Sequence, residues 1–255
     1  MTSERALFPP DAVVRRVDSE AILLLGGGRA LLMQLAHPAV AAGVSEHSDF
    51  ESDPLSRLRR TLEATYTVVF GSEQQAALVG GQLRVVHDRV IGPGYFANDP
   101  ELLMWVHATL VDTALRIHAR FLGRLGPGDA ERYYQESKIV GGVFGVPLDV
   151  QPDTLDDFRA YVRDRVATLE VSDTARRLCR SVLHPRLPVM TEPAMILVRQ
   201  LTTGLLPAPL RRQYGLSWDR PRQATLDLAT AAVRQVLPRV PSVLRRVPTG
   251  RIAAA

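Results

Sequence analysis

Six histidines, His37, His47, His87, His107, His118 and His184, are the side chains of this chain best suited to hold a metal or carry a proton near neutral pH. No two of them have the His-Glu-x-x-His spacing of a zinc protease. His107 and His118 stand three helical turns apart, too far to share one ion. His87 falls between Leu83 and Val90 on the apolar face of a helical pattern, and His107 has a similar place in the pattern that follows. Each reads in two ways. One is a satisfied core histidine; the other is a neutral imidazole in an apolar pocket, the form that ligates haem iron.

Arg57, Arg60 and Thr61 form a second group. At positions i, i+3 and i+4 of one helix they project from one side. Arginine beside a core can grip a carboxylate through a two-pronged hydrogen bond, although an ordinary salt-bridging surface would also produce this pattern. A third group runs from His37-Pro38 to Glu46, His47 and Asp49, straight after an apolar segment. Polar groups are costly to bury unpartnered, so this stretch is either a capped helix end or the rim of a pocket. Gly26-Gly27-Gly28 has neither the lysine of a phosphate loop nor the spacing of a dinucleotide fingerprint, and reads as a helix entry beside close packing.

The elements that must position these groups are helices. Asp53-Pro54 is a start signal followed by Leu55, Leu58, Leu62 and Val69, and Gly71 ends that segment. Ser72-Glu73 starts the next, whose expected buried face is Val79, Leu83, Val86 and Val90. Asp99-Pro100-Glu101 opens a long helix bearing Leu103, Val106, Leu110, Ala114 and Ile117. Further helices are expected over 129–144, 152–169, 173–183, 193–205, 210–214 and 220–237. Ala21–Val44 is apolar but holds Arg29, Gln34, His37 and Pro38, which suits a buried core helix and not a membrane span. Short connections and the lack of a linker predict one all-α domain of about 9–11 helices over 1–237, with 238–255 as a solvated tail.

Composition excludes several classes. A lone cysteine, Cys179, permits no intrachain disulfide and no cysteine-rich metal site. The net charge of +4 is accounted for by Arg239, Arg245, Arg246 and Arg251 in the tail, so no basic groove for nucleic acid is expected. A weak contact of this tail with a membrane surface is the alternative to simple solvation. Met1–Pro10 does not resemble a secretory leader, and a cytoplasmic setting is expected.

The segments GGGRALLMQLAHPAVAAGVSEHSDF (26–50), DPLSRLRRT (53–61), VVHDRVIG (85–92), DPELLMWVHATL (99–110) and LTTGLLPAPLRRQYGLSW (201–218) resemble, in this order, one oxygenase family. It includes the mycophenolic-acid pathway oxygenase and the catalytic domain of rubber oxygenase, the latex-clearing protein. The resemblance implies a globin-like core, haem b and an oxidoreductase acting with dioxygen or peroxide on a small or lipophilic substrate. It implies His87 as the iron ligand, with Arg57, Arg60, Thr61 and His107 about the cofactor. Arg60 stands where the latex enzymes have a lysine able to ligate iron, which an arginine, always protonated, cannot do. Their catalytic carboxylate has no clear counterpart, and Glu46 or His47 is the nearest proton carrier. Two other functions fit the composition: a non-catalytic all-α carrier of a lipophilic metabolite, and, from the basic tail alone, a helical regulator of transcription. Oligomeric state is not legible.

Overall fold

The computed structural model describes residues 5–48, 53–185 and 189–247. Among these are thirteen α-helices, short 3-10 turns and one two-stranded hairpin. The fold is all-α, as the patterning predicts. The expected count of 9–11 helices is exceeded because short helices form at Val13–Asp18 (α1) and Ser242–Arg245 (α13).

The start signals act as anticipated. The Asp53 carboxylate accepts the Ser56 backbone N–H at 3.0 Å and opens α4, Pro54–Phe70. Ser72 and Gln75 form a reciprocal capping box at the head of α5, Glu73–His87. Asp99 accepts from the amides of Glu101 and Leu102 and opens α6, Pro100–Phe121. This 22-residue helix is about 33 Å long. It is buried along most of its length, with Trp105 and Ile117 fully enclosed.

The expected single helix over Ala21–Val44 is corrected to three pieces: a 3-10 segment Ala21–Gly26, α2 (Gly27–Leu35) and α3 (Pro38–His47). Pro38 has no N–H and drives His37 into extended backbone, which breaks the helix there. The three glycines are a packing device. A Cβ at Gly26 would lie 2.4 Å from Thr113 Cγ2 on α6, at Gly27 2.8 Å from Leu58 on α4, and at Gly28 2.2 Å from Thr202 Oγ1. Thr202 belongs to α10, Glu192–Leu205. Arg29, wholly enclosed, crosses to α6, where it pairs with Asp112 at 2.5 Å, and its Nε donates to the Leu205 carbonyl.

α7 (Pro127–Val143) and α1 pack against α4 and α6. Outside them lie α8 (Leu155–Thr168), α9 (Asp173–Leu183), α11 (Ala208–Gln213) and α12 (Arg220–Val236). Strands β1 (Ile91–Gly92) and β2 (Tyr95–Phe96) form an antiparallel hairpin, closed by Gly94 at φ 77°. Residues 238–247 of the expected solvated tail are mostly exposed, and two contacts tie their end to the fold. Val247 N–H donates to the Ser19 carbonyl at 2.8 Å, and Arg245 pairs with the buried Glu20 at 3.0 Å. A docked backbone hydrogen bond and an ion pair hold this stretch to α1; residues 248–255 lie outside the described residues.

Candidate active-site cavity

Where α1, the Ala21–Gly26 turn, α2, α4, α6 and α7 converge, they leave a cavity. It has about 840 Å³ of atom-free space counted out to its mouth, of which about 100 Å³ can take the centre of a water-sized sphere. Its walls are mainly aliphatic, including Leu23, Leu58, Leu62, Leu110, Val111 and Val140. The polar minority is Asp18, Thr61, Thr65, Tyr66, His107, Thr113, Tyr133 and Ser137. Among the described residues, no lysine or arginine lines it.

His107 is the imidazole of this cavity. It is buried, and burial pushes its pKa down to about 4 against a hydrogen bond to the Ser137 backbone carbonyl that raises it. The ring is thus neutral throughout the physiological range. Its Nε2 is buried and has no hydrogen-bond partner. The neighbouring turn of α7 comes so close that a Cβ at Gly141 would sit 3.0 Å from both Cδ2 and Nε2. A second polar group of the lining, half-buried, lies on α1. Asp18 accepts a hydrogen bond from the Tyr133 hydroxyl at 3.1 Å. Burial raises its carboxyl to about 7, with the Tyr133 bond pulling the other way. Burial and the charge of Asp18 together lift Tyr66 to about 12, and the same two causes hold Tyr133 well above the ordinary tyrosine value.

The structure brings together two of the residues singled out from sequence, Thr61 and His107. His87 ends α5, half-buried and away from the cavity lining. The expected buried face of α5 is corrected: Val86 is 58% exposed, and within that helix Ala76 is the buried residue. α5 packs near its middle, where Gly80 approaches the Val143 carbonyl of α7, and most of its described side chains beyond that point are exposed. Arg60 is exposed and does not line the cavity. Arg57 lies on α4, and its side chain is outside the described residues. Glu46 and His47 are exposed at the end of α3, where the Tyr95 hydroxyl donates to Glu46 at 2.5 Å and lies 3.1 Å from His47 Nε2. They form a small group of their own, and neither lines the cavity.

Asp18 escaped the sequence reading because its helix has only six residues. A signal was present: Val13, Val14 and Val17 make an apolar stripe, and Asp18 follows Val14 by four positions, which sets a carboxylate on the buried side.

Haem b can be tested against these residues. Its iron needs a neutral imidazole nitrogen with a free lone pair; among the lining residues His107 is the imidazole, and its Nε2 is unpartnered but enclosed beside Gly141 of α7. Its porphyrin ring needs apolar walls, which the aliphatic lining supplies. The residues present suit the iron and the ring; no described lining residue would pair with the two propionates, which would have to lie outside these walls. Among the described residues no cluster of three or more His, Cys, Asp or Glu could hold a bare metal ion.

Residues 14–235 match the family described as "ER-bound oxygenase mpaB/B'/Rubber oxygenase, catalytic domain". Two uncharacterized proteins, from Mycobacterium bovis and Mycobacterium tuberculosis, are each 27% identical to the chain over 218 residues, covering 80% of it and 84% of the relative.

Proposed function

The chain belongs to this family of oxygenase catalytic domains, and from that premise we propose a haem b-dependent oxygenase that holds its iron through His107. The observation that carries the reading is the buried, unpartnered Nε2 of a neutral imidazole on the wall of an apolar cavity. Haem, when bound, would supply a redox-active iron for reaction with dioxygen or peroxide.

The chain's own residues have separable tasks. The Ser137 carbonyl orients the His107 ring, and burial withholds a proton from it, so a lone pair remains available at Nε2. Gly141 gives that ring room by lacking a side chain. Leucine and valine walls exclude water and favour a small or lipophilic organic substrate. Asp18 holds or releases a proton at its carboxylate in the neutral range, with the Tyr133 hydroxyl bonded to it. Thr61 adds a polar group on the α4 wall. The reading gives no role in the cavity to Glu46, His47, His87 or Arg60. Among the described residues no helix is long and apolar enough to cross a membrane.

The test is the absorption spectrum of the purified full chain, with haem quantified after extraction. One b-type haem per chain supports the proposal. A chain that takes up no stoichiometric haem even when it is supplied during expression sinks it.

A further inference from the structure

The proposed oxygenase needs an organic substrate, and the cavity carries a feature that selects one. Among the described lining residues its one carboxyl group is Asp18, set in mainly aliphatic walls with no lysine or arginine beside it and no ion pair to neutralise it. A carboxylate offers about four acceptor sites. Tyr133 takes one of them. The nearby arginines of α1 are engaged elsewhere. Arg15 donates to the carbonyls of Phe8 and Val69 and stacks over Phe70, and Arg16 pairs with Asp129. Tyr66, close enough to feel the charge of Asp18, completes a polar end with Tyr133.

That end is tied to the imidazole through α7. Tyr133 meets Asp18, and Ser137, four residues on, presents its carbonyl to His107. Four residues of helix advance about 6 Å along the axis. A group held at Asp18 is therefore about one helical turn along α7 from the group that orients the His107 ring.

We propose that Asp18 is a specificity determinant, accepting a hydrogen bond from a hydroxyl or amine at one end of an otherwise apolar substrate. The substrate class is thus a lipophilic alcohol or amine, and not a carboxylic acid or a plain hydrocarbon. An acid would set a second carboxyl against the first; a hydrocarbon would leave the acceptor sites unmet in a dry wall. The inference rests on the oxygenase reading for placing a substrate here, but its test does not depend on haem.

The test compares 1-decanol with decyl methyl ether, which has the same apolar body without the donor, by calorimetric titration of the purified full chain at about pH 8.5, where the Asp18 carboxyl is ionised and can only accept. The wild-type protein is expected to bind the alcohol on the order of tenfold more tightly than the ether, as befits a hydrogen bond to a charged or polarisable group. Decylamine should bind at least as well as the alcohol, and decanoate more weakly than either. Asp18→Leu should abolish the preference for alcohol over ether while still binding both. Asp18→Asn keeps an acceptor oxygen, so it should retain the alcohol preference and lose that for the amine; it also serves if the leucine variant does not fold. Equal affinity of the wild-type protein for alcohol and ether overturns the proposal, as does an unchanged preference in Asp18→Leu. A protein that prefers the alcohol but binds no haem supports this inference and refutes the iron assignment, so the two failures are distinguishable.

Discussion

Asp18→Asn should make the protein more stable, and increasingly so as the pH rises. In the folded chain the Asp18 carboxyl is held at about 7 by burial, against an ordinary 3.8. Between those values the native state keeps a proton that the unfolded chain has released. The unfolded state binds fewer protons, so wild-type stability falls as pH increases through this window. Below 3.8 both states are protonated and the cost vanishes; above 7 both are ionised and the cost is complete. At about 1.4 kcal/mol per pH unit, the full interval amounts to about 4 kcal/mol, most of it accrued between pH 5 and pH 7. Asparagine keeps an oxygen to accept the Tyr133 hydrogen bond and cannot ionise. Every other titrating group is common to the two proteins and cancels in the difference. Urea denaturation of both at pH 5 and pH 8 should therefore show the advantage of Asp18→Asn growing by about 3 kcal/mol between the two conditions. A pH-independent difference would refute the reasoning, because it would mean that Asp18 is as well solvated in the fold as in the unfolded chain.

Two further substitutions probe the frame around the cavity. Asp112→Ala strands the fully buried Arg29 without its carboxylate, and should cost about 3–5 kcal/mol in the same denaturation assay, with Asp112→Asn costing less. Gly141→Ala puts a methyl group 3.0 Å from the His107 ring, which must shift. It should lower stability by about 1–3 kcal/mol and weaken haem retention, measured as the absorbance remaining after gel filtration, whereas Gly142→Ala, with open space around it, should do neither.

Much of the scaffold is legible because it is written locally. Asp53, Ser72 and Asp99 are caps whose bonding partners lie two or three residues away, so spacing alone identifies the helix starts. The glycine run is also legible as a close-packing device, since it lacks every mark of a phosphate loop. The site is harder, because periodicity reports a face and not what covers it. His87 and His107 carry the same apolar periodicity, yet α6 is buried along most of its length whereas α5 has Ala76 as its buried residue. Arg60 and Thr61 are neighbours in sequence, and the rotation of one helical residue sends the first to solvent and the second to the cavity. Asp18 depends on the docking of a six-residue helix against α7, a long-range event to which a short pattern gives only a hint.

The account turns on which imidazole meets the iron. The direct measurement is the Soret spectrum, with haem stoichiometry, of the full chain beside His107→Ala and His87→Ala prepared in the same way. The account predicts a wild-type Soret band that His87→Ala preserves and His107→Ala loses or shifts, with added imidazole restoring it in the latter. A spectrum unchanged in His107→Ala but lost in His87→Ala would contradict it.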